Sequence, residues 1–228
     1  MRIKMTALAA TALCACSSAA PVQHPATRTS APAAADTSAP LHVPEQGPYR
    51  PNARLFACNM HMSNRPQTAA NRMILGYSPL IVVQGVVLAA SPANDVCLTS
   101  GFGPRSGRLH KGIDLQARPA VPIYSAGPGR ILEVSHQTGF GNQVLISHGN
   151  GVFTRYAHLA HFSPGLKAGD PIGFGQPLGM MGATGNATAV HVHYEILTGT
   201  YNTPKKSWGL TANNPLDFPA WSGLDGVS

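Results

Sequence analysis

The chain has 228 residues, 43% hydrophobic and 11% charged, with 24 glycines, 20 prolines and a formal net charge of +7. So few charges among so many Gly and Pro residues fit a compact, turn-rich β protein. The basic balance suits an anionic polymer or anionic membrane surface; export, read from the amino terminus below, and the lack of a recognised nucleic-acid motif argue against nucleic acid.

At the amino terminus, Arg2 and Lys4 precede an apolar run from Met5 to Cys16. That run is too short to span a bilayer and matches a secretory leader, so residues 1–16 are expected to direct export. Leu13, Cys14, Ala15 and Cys16 resemble a bacterial lipoprotein signal with a lipid anchor at Cys16, although Cys14 is unusual at its position. Cleavage after Ala20 is the rival. The expected location is the cell envelope, as a membrane-anchored lipoprotein of the outer membrane or periplasm, or else as a soluble periplasmic or secreted protein. Residues 17–47 are rich in Ala, Pro, Ser and Thr and cannot bury enough surface to offset chain entropy, so they are expected to form a disordered tether reaching up to ~100 Å.

Residues 48–96 combine a polar stretch with the apolar run PLIVVQGVVLAASP, which reads as one or two strands and as an extension of the main core. Cys58 and Cys97 are the only cysteines beyond the leader and read as one disulfide in an oxidising compartment. Nothing downstream of the leader is apolar enough for a true membrane span.

Three histidine clusters carry the chemistry: HKGID at 110–114, YAHLAH at 156–161 and HVHYE at 191–195. They can supply two imidazoles and a carboxylate to a metal, with further imidazoles left over, which is the ligand set of a hydrolytic zinc site. In a strand, His191 and His193 leave the same face, roughly 6 to 7 Å apart. Gly112 lies between His110 and Asp114, so that pair reads as a loop entering a strand. His158 ends the β-branched and aromatic run from Val152 and reaches the groove from another strand.

Residues 99–126, 139–159 and 168–196 resemble, in order, the motif blocks of the lysostaphin and LytM-type zinc metalloendopeptidases, which cut peptide bonds in bacterial peptidoglycan. The likeness spans about residues 97–218, leaving 219–228 as a tail. It implies a mainly β fold of the duplicated-hybrid-motif type: antiparallel sheets with few helices around a zinc groove, with strands expected near 121–135, 142–148, 152–158 and 190–197. It also implies one Zn²⁺ per chain on His110, Asp114 and His193. His158 and His191 match the two active-site histidines that are not ligands, one accepting a proton from the attacking water and the other orienting or stabilising the oxyanion. The implied substrate is a peptidoglycan stem peptide or cross-link; the bond cut and any regulatory partner stay open. One departure is local: Ala187, Thr188, Ala189 and Val190 replace the family's usual Ser/Thr-Gly-Pro run and change the adjoining groove wall.

Several other residues have bland readings. His148 sits at a hairpin turn and reads as structural, and His161 reads as lying off the substrate path. Glu195 is either a hydrogen-bond partner of His193 or half of a structural salt bridge. Arg105 reads as tying down the GFGPR turn, with a substrate carboxylate as the alternative. A non-catalytic activator or binding module on the same fold, which would usually lack the ligands, and a histidine phosphocarrier of related architecture are the competing functions.

Overall fold

A computed structural model describes residues 49–202 and 206–223. The expected leader at 1–16 and tether at 17–47 lie outside the described residues. The apolar run of the extension folds as a hairpin of β1 (Leu80–Val83) and β2 (Val86–Ala89). Then come β3 (Cys97–Ser100), a small hairpin of β4 (Gly103–Arg105) and β5 (Arg108–His110), β6 (Ile113–Gln116) and β7 (Pro122–Tyr124). A meander follows: β8 (Gly129–Gln137), β9 (Gly141–Ser147) and β10 (Val152–Leu159). The short strands β11 (His161–Phe162), β12 (Pro171–Ile172) and β13 (Pro177–Met180) lead to β14 (Val192–Thr198) and β15 (Thr211–Asn213). Among the described residues the only helical segment is a 3-10 turn at Lys206–Gly209, and no helix is long and apolar enough to cross a membrane.

The main antiparallel sheet runs β12, β8, β9, β10, β14, β6, β3, with β15 also on β14; β11, β13 and β7 form a second sheet. The expected strand at 121–135 is two strands, because Ser125 to Pro128 form a corner, where Ala126 N–H donates to the Tyr156 hydroxyl at 2.8 Å. The expected strand at 190–197 begins at Val192, and the other two match β9 and β10 within a residue or two.

β10 and β14 lie mid-sheet with almost every residue buried, so each face has its own partner. One face puts Tyr156 and Tyr194, ring centroids 5.4 Å apart, into the main core with Leu98, Ile113, Ile123 and Val144. Tyr49, Leu55, Ile74, Ile81 and Leu88 of the extension join this same core, and Cys58 is disulfide-bonded to Cys97. Beyond β15, Val82 N–H donates to Pro219 O at 2.9 Å and Trp221 N–H to Leu80 O at 3.0 Å, tying the carboxy-terminal segment to β1. The opposite face of β10 and β14 builds the site.

Candidate metal centre

Cross-strand register makes this face a ladder. Phe153 pairs with Leu197, Arg155 with Glu195 and Ala157 with His193 across β10 and β14, and His193 lies opposite Asp114 on β6. The ladder passes from an apolar pair through an ion pair to the metal-ligating types. Gly112 permits the close pairing, since a Cβ there would lie 2.2 Å from Tyr194 O. His110 is not in a loop: it closes the β4–β5 hairpin, and only Lys111 and Gly112 separate it from β6.

His110, Asp114 and His193 are all buried, and one donor atom from each falls within 4.8 Å of the others. His110 Nε2 lies 3.1 Å from Asp114 Oδ1 and 3.0 Å from His193 Nδ1, while His193 Nδ1 lies 2.9 Å from Asp114 Oδ1. The other ring nitrogens turn outward, His110 Nδ1 to Gly101 O at 2.5 Å and His193 Nε2 to Glu195 Oε1 at 3.0 Å. Three inward donors, two of them on rings braced from behind and one on a carboxylate, fit a divalent cation of zinc type.

The electrostatics agree. Burial opposes charge on Asp114, but hydrogen bonds from His110 and His193 overcome it and hold the carboxyl well below its usual range. Burial likewise opposes charge on His193, yet Asp114 and Glu195 together push it up to about 9. The cluster's negative charge thus attracts a positive one, and a cation would meet the same demand.

His158 reaches this face by a local irregularity. Strand alternation from Arg155 and Ala157 would send it toward the core beside Tyr156. A bulge between Tyr156 and Leu159 and a φ of +64° at His158 turn the ring to the groove instead. Its Nδ1–H donates to Thr184 O at 2.8 Å, and Thr184 Oγ1 is itself fixed by Asn142 N–H and Leu159 O. Burial lowers its pKa to about 4, against the opposing hydrogen bond to Thr184. The His191 ring lies tilted against that of His158 with centroids 4.8 Å apart, donates from Nδ1 to Ala189 O at 2.8 Å, and places Nε2 3.7 Å from Asp114 Oδ1. On both rings a backbone carbonyl thus engages Nδ1.

The structure brings all five histidine and aspartate candidates together. Glu195 fulfils both of its readings at once, since Oε2 accepts from Arg155 Nη1 at 2.9 Å. Arg105 differs from expectation: its Nη1 lies 2.9 Å from Asp114 Oδ2 and 2.7 Å from Ser100 Oγ, so it braces the carboxylate of the cluster. His148 is structural, with Nδ1–H donating to Pro128 O and Nε2 meeting Thr154 Oγ1, both at 2.7 Å. His161 is exposed and makes its side-chain hydrogen bond to Phe162 O. Sequence reasoning missed Arg155, Phe140 and Trp208. Phe140 lies under the Arg155 guanidinium at 4.2 Å and beside His193 at 6.0 Å, and with the exposed Trp208 it lines a groove of about 250 Å³ over the site. The groove-facing Phe140 follows Gly139 in the GFGNQ block, a signal that was available.

Residues 108–205 match the family model described as Peptidase family M23. The catalytic domain of the prophage-encoded M23 protein EnpA from Enterococcus faecalis is 30% identical, the alignment covering 54% of this chain and 90% of that one with a TM-score of 0.46. The chain belongs to peptidase family M23. The DD-carboxypeptidase/endopeptidase Mpg of Neisseria meningitidis serogroup B is 39% identical over 104 residues, 43% of this chain and 24% of Mpg. The peptidoglycan DD-endopeptidase ShyC of Vibrio cholerae is 35% identical over 123 residues, 50% of this chain and 28% of ShyC. The chain thus spans about a quarter of the length of these curated relatives. All five clustered residues lie inside the M23 match, whereas Ser100 and Arg105 precede it.

Proposed function

We propose that this chain is a zinc-dependent endopeptidase that hydrolyses peptide bonds in bacterial peptidoglycan stem peptides or cross-links. The observation that carries the reading is the convergence of His110 Nε2, Asp114 Oδ1 and His193 Nδ1, flanked by two further imidazoles held by carbonyls. The names of Mpg and ShyC, a carboxypeptidase/endopeptidase and a peptidoglycan endopeptidase, supply the substrate class. The expected leader and Cys16 lipid anchor would place the enzyme in the cell envelope, beside that substrate.

In this reading His110, Asp114 and His193 hold one zinc ion, which supplies Lewis-acid polarisation of the scissile carbonyl and a lowered pKa for water. Glu195 and the Gly101 carbonyl fix the two ligand rings, and Arg105 holds Oδ2 of Asp114 so that Oδ1 faces inward. His158 and His191 divide the proton work through Nε2: one accepts the proton of the attacking water, and the other donates to the oxyanion as the carbonyl becomes tetrahedral. Phe140 and Trp208 border the groove and limit water around the reacting bond. A purely binding module needs none of this donor set.

The test removes the proton-handling rings and leaves the ligands. His158→Ala and His191→Ala are each expected to retain zinc and fold while losing cleavage of sacculi by roughly 10² or more. Wild-type rates in both variants would transfer the reading to a binding module.

A further inference from the structure

Two hollows run from the metal centre toward the segment that precedes the M23 match. The inner one, about 190 Å³, lies against Asp114, His191 and Thr188; the outer one, about 540 Å³, lies against Phe56 and Asp95. Met60, Gln116 and Arg118 line both, so the two form one trough that begins at the metal-ligating cluster.

Its outer wall is residues 56–60, and that wall is held firmly. Cys58 N–H donates to Leu98 O and Leu98 N–H to Phe56 O, both at 2.8 Å, Ala57 bridges Leu98, and the Cys58–Cys97 disulfide closes the same contact. β3, which carries Cys97 and Leu98, pairs with β6, which carries Asp114. The extension is thus two strand spacings from the site, and the staple fixes its distance from the reacting groups.

The trough has a definite chemistry. Phe56 and Met60 are large apolar side chains left 38% and 49% exposed along it. Gln116 is committed, donating from Nε2 to Val190 O at 2.8 Å, and Arg105 is committed to Asp114. Arg118 is exposed and forms no ion pair among the described residues. Of the charged side chains, Asp95 borders the outer hollow, Asp114 with its partner Arg105 the inner one, and Arg118 both, where the two hollows meet. An apolar wall facing an uncommitted guanidinium, continuous with the site of bond cleavage, fits an extended peptide that bears a carboxylate.

We propose that this trough is the subsite for the acidic portion of the wall peptide, and that Arg118 binds a free stem-peptide carboxylate there. The inference rests on the peptidase reading of the metal centre. It makes the extension and its disulfide part of substrate selection as well as of the core.

The test compares a cross-linked muropeptide with free carboxylates and the same muropeptide with those carboxylates amidated. Binding is measured on the full-length, zinc-loaded chain carrying His158→Ala, which leaves the peptide intact, with and without Arg118→Gln. The Arg118→Gln change is expected to weaken binding of the free acid about tenfold or more while leaving the amide unchanged. In the chain with His158 restored, the same change should raise KM for the acid with little effect on kcat and no effect on zinc content. Equal weakening of both peptides, no weakening of either, or no binding by the parent chain would overturn the subsite. Cleavage decides the other reading separately: Arg118-dependent binding with no cleavage by the wild type removes the peptidase assignment and keeps the trough.

Discussion

His193 Nε2 donates to Glu195 Oε1 at 3.0 Å, from a residue two positions away on the same strand. Strand alternation makes that contact, and the cross-strand partner Arg155 holds the other carboxylate oxygen, so the ring is fixed from behind while Nδ1 faces the cluster. Glu195→Gln keeps the shape and removes the charge. It should weaken zinc binding about 10- to 100-fold, read by chelator competition, with the fold retained. Glu195→Ala should cost in addition about 3 to 5 kcal/mol of stability, because it leaves the Arg155 guanidinium buried without a partner. Unchanged zinc affinity in Glu195→Gln would mean that the carboxylate only balances Arg155.

Acid should act through His148. Burial, opposed by the hydrogen bond to Pro128 O, pushes its pKa down to about 4 from the usual 6.5. The unfolded chain therefore binds more protons between those values, and this residue lowers stability as pH falls from about 6.5 toward 4, by at most about 3 kcal/mol. His148→Gln removes that titration. The stability gap between wild type and variant, from urea melts at a series of pH values, should be constant above pH 7 and shift in favour of the variant as pH falls through this window. A gap independent of pH would contradict the assignment.

The disulfide joins residues 39 apart in sequence. Closing such a loop restricts the unfolded chain by about 4 kcal/mol in the entropy model, often less in practice. Cys58→Ser should lower Tm and spare zinc content, since neither sulfur approaches the cluster. Alkylation that finds Cys58 and Cys97 both free in protein isolated without reductant would show that the staple is absent.

Much of the site was legible because its donors belong to short local motifs. HKGID and HVHYE carry the ligand types at spacings a strand can present, and the run PLIVVQGVVLAASP, read as one or two strands, folds as the β1–β2 pair. What stayed hidden depends on register and irregularity. His158 was expected at the groove and lies there, but the bulge after Tyr156 that turns it out against strand alternation was not legible. The Arg155–Glu195 pair and the bond from Arg105 to Asp114 join residues that no periodicity brings together. The corner at Ser125 to Pro128 was lost in an apolar run, although Gly127 and Pro128 marked it.

Gly182 offers a test of that irregular geometry. It bridges to His191, and a Cβ there would lie 2.3 Å from Ala160 N and 2.8 Å from His158 O. Gly182→Ala should push this segment from β10, costing about 1 to 3 kcal/mol. Because it displaces the two non-ligand rings and not the ligands, cleavage should fall far more than zinc content. Equal losses would show that the rings and the ligands move as one unit.

Incubation of the mature protein with purified sacculi, after zinc removal and again after zinc is restored, tests the central claim most directly. Released muropeptides are identified by mass spectrometry. Zinc-dependent appearance of new peptide ends, absent in His193→Ala, is the expected result. Release of the same products after complete zinc removal, or no cleavage of any wall substrate by the zinc-loaded wild type, would contradict it.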